Sequence, residues 1–263
     1  MDKGKLSMVH FVGAGPGAAD LITIRGKELI EQADVIIYAG SLVNPKLLDY
    51  AKKDCEIHDS SRLSLDEVMD IITQAQANGK TTVRLHTGDS SIYGATREQM
   101  DILDRKGIEY DTTPGVSSFC GAAAALNMEY TLPGISQSVI ITRIDGRTKV
   151  PEKESVEALS SHNATMVFFL SAGQTKRLSD RLISAGVSKD TPCALVYRAT
   201  WPDEQKYVCT LEQLPQVAKE HNIDRQALII VGQAVAQSGY ELSKLYAPSF
   251  TTGYRKGKDV YEK

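Results

Sequence analysis

The segment MVHFVGAGPGAADLITIRGKELIEQA, residues 8–33, passes from an apolar run through a glycine-rich loop into an amphipathic pattern. A strand that leads through such a loop into a helix is the first element pair of an α/β fold. Thr23 stands where a helix N-cap is expected, so the sequence predicts a strand over residues 8–12 and a helix over residues 23–33. The glycines between them indicate that the backbone of this loop closely approaches another group.

The same alternation continues through the first half of the chain. Apolar segments predict further strands over residues 34–39, 81–86 and 109–113. Amphipathic segments predict helices over residues 65–79 and 95–107, each ending at a glycine. Because strand and helix follow in strict turn, the expected fold class is α/β, with a mostly parallel sheet and helices on its faces.

A second α/β region follows an alanine-rich helix at residues 119–126, after which Pro133 and Gly134 break the pattern. Its predicted strands cover residues 137–143, 164–170, 191–200, 204–210 and 226–235, and its predicted helices cover residues 173–186 and 211–221. The two strands that flank TWPDE suggest an antiparallel hairpin. The predicted organisation is a first α/β domain over residues 1–134, a second over residues 135–237 and a polar tail over residues 238–263.

Composition narrows the class of protein. The chain of 263 residues has a formal net charge of −3 and 42% hydrophobic residues, as expected of a globular protein. No basic block points to a nucleic-acid partner, and no apolar run approaches the roughly 20 residues that cross a membrane. The first residues lack a secretory signal pattern, so we expect a cytoplasmic location. The 4 cysteines and 5 histidines show no metal-binding spacing, so we expect reduced cysteines and no metal site.

The glycine loop has a nucleotide-binding interpretation, which its details disfavour. Gly13, Gly15 and Ala18 match the relaxed G-x-G-x-x-G/A pattern of dinucleotide-binding loops. However, Pro16 removes an N–H group that could bind phosphate, and a helix start at Thr23 is late for that motif. The second strand also ends in YAG, without an acidic residue to bind a ribose. A structural turn without a ligand is the other alternative.

Two further glycine-centred loops follow predicted strands. They are HTGDSSIYGA, residues 86–95, and TPGVSSFCGAAAA, residues 113–125. In a parallel α/β sheet, ligands bind beyond the carboxyl ends of the strands. We therefore expect the loops at residues 13–17, 87–93 and 113–118 to converge there.

The order GAGPG, TGDSSIYG, PGVSS resembles the tetrapyrrole methylase family, the S-adenosylmethionine-dependent enzymes of corrin and sirohaem synthesis. The resemblance covers residues 8–236. Within the family, LPGISQSVIITRIDGRTKVPE and YRATWPDE are most similar to the C11-methyltransferases, whose substrate is precorrin-4 or cobalt-precorrin-4. The resemblance implies a homodimer of subunits with two α/β domains. It also implies S-adenosylmethionine in the cleft between the domains and S-adenosylhomocysteine as product.

Carried over position by position, the resemblance implies a set of cofactor contacts that are mostly small or apolar. They are Pro16, Thr87, Gly88, Asp89, Ile92, Ser117, Ser118, Leu170, Ala199 and Ala227. Asp89 would bind a hydroxyl or amino group of the cofactor, or cap the following helix. The proton acceptor is unassigned, with Asp89 and Asp145 as candidates beside solvent. Ser90 replaces the proline usual in the family, which we expect to cost about 0.4 to 1 kcal/mol through lost pre-organisation.

The substrate implied by the resemblance carries acetate and propionate groups, which guanidinium groups bind well. Arg143, Arg147 and Arg198 are therefore candidate substrate ligands, and Tyr93 and Trp201 are candidate aromatic walls. For each arginine, a solvated surface charge is the alternative.

The expected function is methyl transfer to C11 in cobalamin biosynthesis. Methyl transfer needs alignment and exclusion of water rather than a Ser/His/Asp triad, which agrees with the scattered histidines. The alternatives are methylation at another tetrapyrrole position, diphthine synthase activity, a nucleotide-binding oxidoreductase and a non-catalytic tetrapyrrole carrier.

Overall fold

A computed structural model, which describes residues 7–258, divides the chain into two compact units. The first unit contains the residues up to Leu126 together with Val196–Lys206, and the second contains Asn127–Leu195 and the residues from Tyr207 onward. These bounds differ from the predicted domain ends at residues 134 and 237. The reason lies in hydrogen bonds of the second unit: Thr165 Oγ1 donates to Tyr130 O at 2.9 Å, and Glu241 N donates to Pro133 O at 2.9 Å.

The first unit contains a five-stranded sheet in the order β3-β2-β4-β1-β5, and its strand pairs are parallel. The strands are β1 Val9–Gly13, β2 Val35–Tyr38, β3 Glu56–Asp59, β4 Thr82–His86 and β5 Tyr110–Thr113. The helices are α1 Ile24–Gln32, α2 Leu65–Ala77, α3 Arg97–Lys106 and α4 Ser118–Leu126. The α/β class and the parallel sheet are confirmed, whereas strand β3 was not predicted.

Alternating residues of the sheet pack into two hydrophobic cores, one on each face. Phe11 and Ile37 pack with α2 and α3 residues such as Ile72, while Val12 and Ile36 belong to the opposite core. This period of two, in a sheet covered on both faces, is what a βα succession requires.

Helix ends follow their local sequence. Thr23 caps α1, since its side chain accepts a hydrogen bond from Gly26 N at 3.1 Å, as predicted. Ser64 and Glu67 form a capping box at the start of α2. Gly107 ends α3 with φ of +64°, in the left-handed region where glycine carries no steric penalty.

The second unit contains a five-stranded sheet in the order β6-β7-β10-β8-β9. The strands are β6 Val139–Arg143, β7 Thr165–Phe169, β8 Pro192–Tyr197, β9 Gln205–Thr210 and β10 Ala227–Val231, and the helices are α5 Val156–Ser160, α6 Thr175–Ser184 and α7 Leu214–Glu220. β6 pairs with β7 in parallel and β10 pairs with β7 antiparallel, so the sheet is mixed. All five predicted strands are confirmed, and the short helix α5 was not predicted.

Two absences concern residues 7–258 only. Within this range no helix has both the length and the apolar character needed to cross a membrane. In the same range, no three His, Cys, Asp or Glu side chains are grouped as metal ligands.

Candidate active site

The glycine loop after β1 pairs directly with the loop after β4. Gly15 N donates to Gly88 O at 3.2 Å, and Gly88 N donates to Gly15 O at 2.8 Å. Both glycines have positive φ, +82° for Gly15 and +60° for Gly88. Side chains other than glycine rarely adopt this conformation, so glycine is required where the two loops exchange hydrogen bonds.

The loop after β5 closes against the same two loops. A Cβ added to Gly115 would lie 2.2 Å from Gly88 O, and one added to Gly13 would lie 2.6 Å from Gly115 N. Backbone atoms therefore meet at distances that only glycine allows. The predicted convergence of the three loops is confirmed, and it lies at the carboxyl ends of the parallel strands.

Helix α4 begins directly beside this junction. Ser117 is buried and its carbonyl accepts hydrogen bonds from Cys120 N and Gly121 N in the first turn. A Cβ on Gly88 would lie 3.3 Å from Ser118 N. The predicted cofactor contacts Gly88, Ser117 and Ser118 are thus close neighbours.

Asp89 ties two of these loops together. Its Oδ2 accepts a hydrogen bond from Gly115 N at 2.8 Å, and its Oδ1 accepts one from Ser91 N at 2.9 Å and another from Ser91 Oγ. Desolvation raises the pKa of Asp89, but these hydrogen bonds outweigh it and hold the pKa below the usual range. The carboxylate is therefore a weak base that holds the loop after β5 to the loop after β4, and its contact with a cofactor stays a prediction.

The far side of the glycine loop packs against the segment between β8 and β9. A Cβ on Gly17 would lie 2.1 Å from Trp201 Cδ1 and 2.8 Å from Ala199 O. Ala18 N donates to Thr200 Oγ1 at 2.9 Å. Pro16 is buried, and it would lie 2.8 Å from a Cβ on Gly121. The group that this backbone approaches is therefore an indole of the protein itself, which accounts for Gly17 without a nucleotide phosphate.

Arg198, a predicted substrate ligand, has partners within this segment. Its guanidinium lies 4.0 Å from the centre of the Trp201 ring and forms an ion pair with Asp203. Its Nε is buried without a hydrogen-bond partner among the described residues, and its φ is +44°. Most of its charge is thus engaged by Asp203 and the indole.

Strand β4 is central in its sheet, yet it carries two buried titratable side chains, Arg84 and His86, that the sequence did not point out. Val83 and Leu85 enter one hydrophobic core, whereas Arg84 and His86 occupy the alternate positions and lie on the other face. Arg84 donates from Nε to Gln99 Oε1 at 3.1 Å and from Nη1 to Ile37 O at 3.1 Å. Burial lowers the pKa of Arg84 to about 10, which leaves the side chain charged at neutral pH.

His86 is 5% exposed, and its ring stacks on Phe11 with 6.1 Å between the ring centres. Its Nε2 is buried and has no hydrogen-bond partner among the residues that the structure describes. Burial, followed by the charge of Arg84, lowers the pKa of His86 to about 3, so the imidazole is neutral at physiological pH.

Both side chains line one pocket of about 270 Å³ in the first unit, which we call the β4 pocket. Apolar walls come from residues that include Leu42, Leu63, Val68 and Ile92. Three predicted contacts, Thr87, Ile92 and Tyr93, line the same pocket. Tyr93 and Ala95 have φ of +54° and +49°, a strained conformation that is more frequent at functional sites.

The other predicted site residues lie in the second unit. Arg143 donates to Thr148 O at 3.0 Å and to Lys149 O at 2.9 Å, which shapes the loop after β6, and Arg147 of that loop is exposed. Leu170 follows β7 with φ of +52° and is 70% exposed. Ala227 is buried at the start of β10. Their contacts with a cofactor or substrate stay predictions.

The sequence contained a pattern that could have marked Arg84 and His86 as candidate site residues. A central parallel strand is buried on both faces and is normally an apolar run, but TVRLH alternates apolar and polar residues. A polar residue at alternate positions of such a strand points to a special environment.

The sequence is similar to proteins of a known family. The family model described as Tetrapyrrole (Corrin/Porphyrin) Methylases matches residues 8–215. The chain is 50% identical over 248 residues to a cobalt-precorrin-4 C(11)-methyltransferase of Methanocaldococcus jannaschii, covering 94% of this chain and 96% of that one. It is 40% identical over 248 residues to a precorrin-4 C(11)-methyltransferase of Sinorhizobium sp, covering 94% and 98%.

A solved structure extends the likeness to the fold. The X-ray structure of cobalt precorrin-4 methyltransferase, described as a cobalamin biosynthetic enzyme, has a TM-score of 0.87 and 41% sequence identity, covering 89% of this chain and 98% of that one. The loop order, the two sheets and these similarities agree, and the chain belongs to the tetrapyrrole (corrin/porphyrin) methylases.

Proposed function

We propose that the protein transfers a methyl group from S-adenosylmethionine to C11 of precorrin-4 or cobalt-precorrin-4, releasing S-adenosylhomocysteine, as a step of cobalamin biosynthesis. The observation that carries the proposal is the convergence of three glycine loops around Asp89 in a chain of this family. The similarity to C11-methyltransferases over 94% of the chain supports the ring position.

The residues at the loop junction suit a cofactor bound through backbone groups. Gly88 has a φ of +60°, and a Cβ on it would lie only 3.3 Å from Ser118 N, so Gly88 has no side chain of its own to crowd the backbone at the start of α4. Thr87, Ser117 and Ser118 are small and polar, and the hydrogen bonds of Asp89 fix the loop in place. These residues fit a methyl donor whose adenosine and methionine parts need close backbone approach.

The bound donor supplies an electrophilic methyl group on a sulfonium, which transfers in line to a carbon nucleophile. The protein's task is therefore to align the two reactants and exclude water, and rigid loops supply that alignment. Among the residues described, Asp89 has a lowered pKa and His86 has a pKa of about 3, so neither is a strong proton acceptor at neutral pH. We propose that solvent receives the proton released after methylation.

The predicted substrate arginines differ in availability. Arg143 and Arg198 have partners of their own, whereas Arg147 is exposed on the loop after β6. Arg147 is therefore the predicted arginine that meets a substrate carboxylate without first giving up a partner.

A methylation assay tests the function directly. Purified protein is incubated with S-adenosylmethionine and either precorrin-4 or cobalt-precorrin-4, and the product is analysed by mass spectrometry and NMR. We expect one added methyl group, located at C11, with at least one of the two substrate forms. Absence of methylation on both forms contradicts the proposal, and a methyl at another carbon identifies a different member of the family.

A variant at the loop junction tests whether the cofactor binds there. Gly88→Arg places a long side chain beside Ser118, so calorimetry should show loss of S-adenosylhomocysteine binding. The control is Gly253→Arg, because a Cβ at Gly253 would have no atom within 4 Å. Wild-type protein should bind S-adenosylhomocysteine and not NAD, and the opposite result would favour an oxidoreductase.

The protein is proposed to be a homodimer in the cytoplasm. The family resemblance supports a homodimer, which sedimentation of the full chain tests, with a monomer as the contradicting result. A cytoplasmic location stays a prediction that cell fractionation tests.

A further inference from the structure

The β4 pocket contains a buried positive charge without a negative partner. Arg84 is 7% exposed, and its two hydrogen bonds go to neutral groups, the Gln99 amide and the Ile37 carbonyl. No carboxylate between residues 7 and 258 forms an ion pair with it. A buried charge of this kind is destabilising unless something compensates it.

The guanidinium has capacity left for a ligand. Of the five N–H groups of an arginine, Arg84 uses one on Nε and one on Nη1 for protein acceptors. The remaining three have no acceptor among the described residues. Its fixed position, held by α3 through Gln99 and by β2 through Ile37, means that a ligand would meet a pre-oriented donor.

His86 is a second and independent indication of a ligand. Its Nε2 is buried in the same pocket and lacks a partner among residues 7–258. Two residues further along β4 than Arg84, it lies on the same face of the strand, and Phe11 packs against its ring. Buried polar atoms are normally satisfied, so an orphan nitrogen beside an unpaired cation points to an absent acceptor.

The space suits a small anionic group on an apolar stem. A volume of about 270 Å³ corresponds to roughly nine water molecules at about 30 Å³ each, enough for a short carboxylate arm. Leu42, Leu63 and Val68 supply apolar wall for the methylene groups. Glu98 also lines the pocket, but it is exposed and forms no ion pair with Arg84.

We propose that Arg84 and His86 together bind a carboxylate group in the β4 pocket. Arg84 donates from the unused N–H groups of its guanidinium, and His86, in the tautomer protonated on Nε2, donates as a neutral imidazole. The source of the carboxylate rests on the proposed function: it is either an acetate or propionate arm of the macrocycle or the methionine end of the methyl donor. Neither residue takes part in bond making or breaking.

Variants of both residues test the proposal. His86→Phe removes Nε2 and keeps a ring for packing on Phe11, and Arg84→Gln removes the charge. We measure the Kd of S-adenosylhomocysteine by calorimetry, and kcat and KM for precorrin-4 or cobalt-precorrin-4. A loss of at least about tenfold in one of the two affinities is expected, since hydrogen bonds to charged groups contribute that much. A raised KM identifies the macrocycle as source, and a raised Kd identifies the donor.

The controls separate binding from folding. Arg97→Gln changes an exposed arginine that pairs with Asp101 and Asp104 outside the pocket, and both affinities should stay within twofold of wild type. Arg84→Lys keeps the charge and should recover part of the lost affinity, which a purely structural role would not predict. Folded His86→Phe and Arg84→Gln proteins with unchanged Kd and KM overturn the proposal.

A binding readout covers the case in which Arg84→Gln fails to fold. In wild-type protein with isotope-labelled histidine, addition of S-adenosylhomocysteine or the macrocycle should shift the His86 ring signals, and the signals of exposed His162 should not move. Absence of a shift with both ligands, when calorimetry shows that they bind, overturns the proposal. Wild-type protein that binds neither ligand contradicts the proposed function instead.

Discussion

His86 ties the stability of the protein to pH through a single buried ring. Its pKa of about 3 lies below the ordinary histidine value of 6.5 because burial disfavours the charged form and Arg84 repels it. Between these two values the unfolded chain binds a proton that the folded chain does not. Stability that depends on this residue is therefore present above pH 6.5 and is lost as the pH falls from there towards about 3.

The first prediction concerns this pH dependence. On lowering the pH from 7.5 to 5, His86 should contribute a loss of about 2 kcal/mol in the free energy of unfolding, and His86→Phe should abolish that part of the loss. Urea denaturation at the two pH values measures it. The control is His162→Phe at an exposed position, and an equal pH dependence of the two variants would contradict the prediction.

The second prediction concerns Ser90. This buried residue follows Asp89, whose side chain accepts a hydrogen bond from Ser91 N, and its own N–H donates no hydrogen bond among the described residues. Ser90→Pro should therefore raise the free energy of unfolding by about 0.4 to 1 kcal/mol, because proline restricts the unfolded chain. Denaturant unfolding checks it against Ser90→Ala, and a Ser90→Pro variant less stable than Ser90→Ala would show that the loop cannot accommodate the ring.

At the scale of elements, local sequence was sufficient to predict the strands, helices and loops that repeat the βα pattern. Thr23 caps its helix, and the three loops meet because parallel strands end at one edge. Strand β3 escaped prediction because EIHD is four residues long and mostly exposed, so no apolar run marks it. The partner of Gly17 could not be predicted, since Trp201 is remote in sequence and only the folded chain brings them together.

The site was predictable to a similar extent. The glycine junction follows from motif order, but the sequence left Asp89 as either a cofactor contact or a helix cap, and only the folded chain reveals its hydrogen bonds to Gly115 and Ser91. Sequence alone predicted Arg198 as a substrate ligand because it does not show that the turn after β8 brings Asp203 and Trp201 onto the guanidinium. Side-chain pairing depends on such tertiary detail, which a periodicity analysis does not contain.

The third prediction uses the contact between Gly17 and the only tryptophan of the chain. Gly17→Ala would place a Cβ 2.1 Å from Trp201 Cδ1, so the indole has to move. We expect a loss of about 1 to 3 kcal/mol in the free energy of unfolding and a shifted tryptophan emission spectrum. In the control Gly79→Ala, the new Cβ has no atom within 4 Å, so only the backbone penalty of φ +69° remains and emission should not change. Unchanged emission of Gly17→Ala would contradict the contact.

At the scale of the whole molecule, the first unit is discontinuous in sequence. Val196–Lys206 belongs to it although the second unit contributes the residues on either side. The segment supplies the Trp201 contact to Gly17 and the Thr200 hydrogen bond to Ala18, and Lys206 donates to Ala125 O. The first unit is therefore incomplete without residues that lie beyond the predicted first domain.

The fourth prediction follows from this discontinuity. A fragment of residues 1–134 lacks the segment that covers Pro16, Gly17 and Gly121, so it should unfold less cooperatively and at a lower urea concentration than the full chain. Circular dichroism during denaturation measures this. Addition of a peptide of residues 196–206 should shift the midpoint upwards, whereas a scrambled peptide should not. A fragment as stable as the full chain would show that the segment contributes nothing.

The discontinuity also sets an order of events during synthesis. A ribosome adds about 5–20 residues per second, so roughly 4 to 14 s pass between the emergence of Leu126 and that of Val196. Throughout that interval Trp201 has not yet been synthesised and cannot cover the glycine loop. The first unit can complete its fold only after Val196–Lys206 has emerged. A chaperone that binds nascent chains would find this loop accessible for seconds rather than milliseconds.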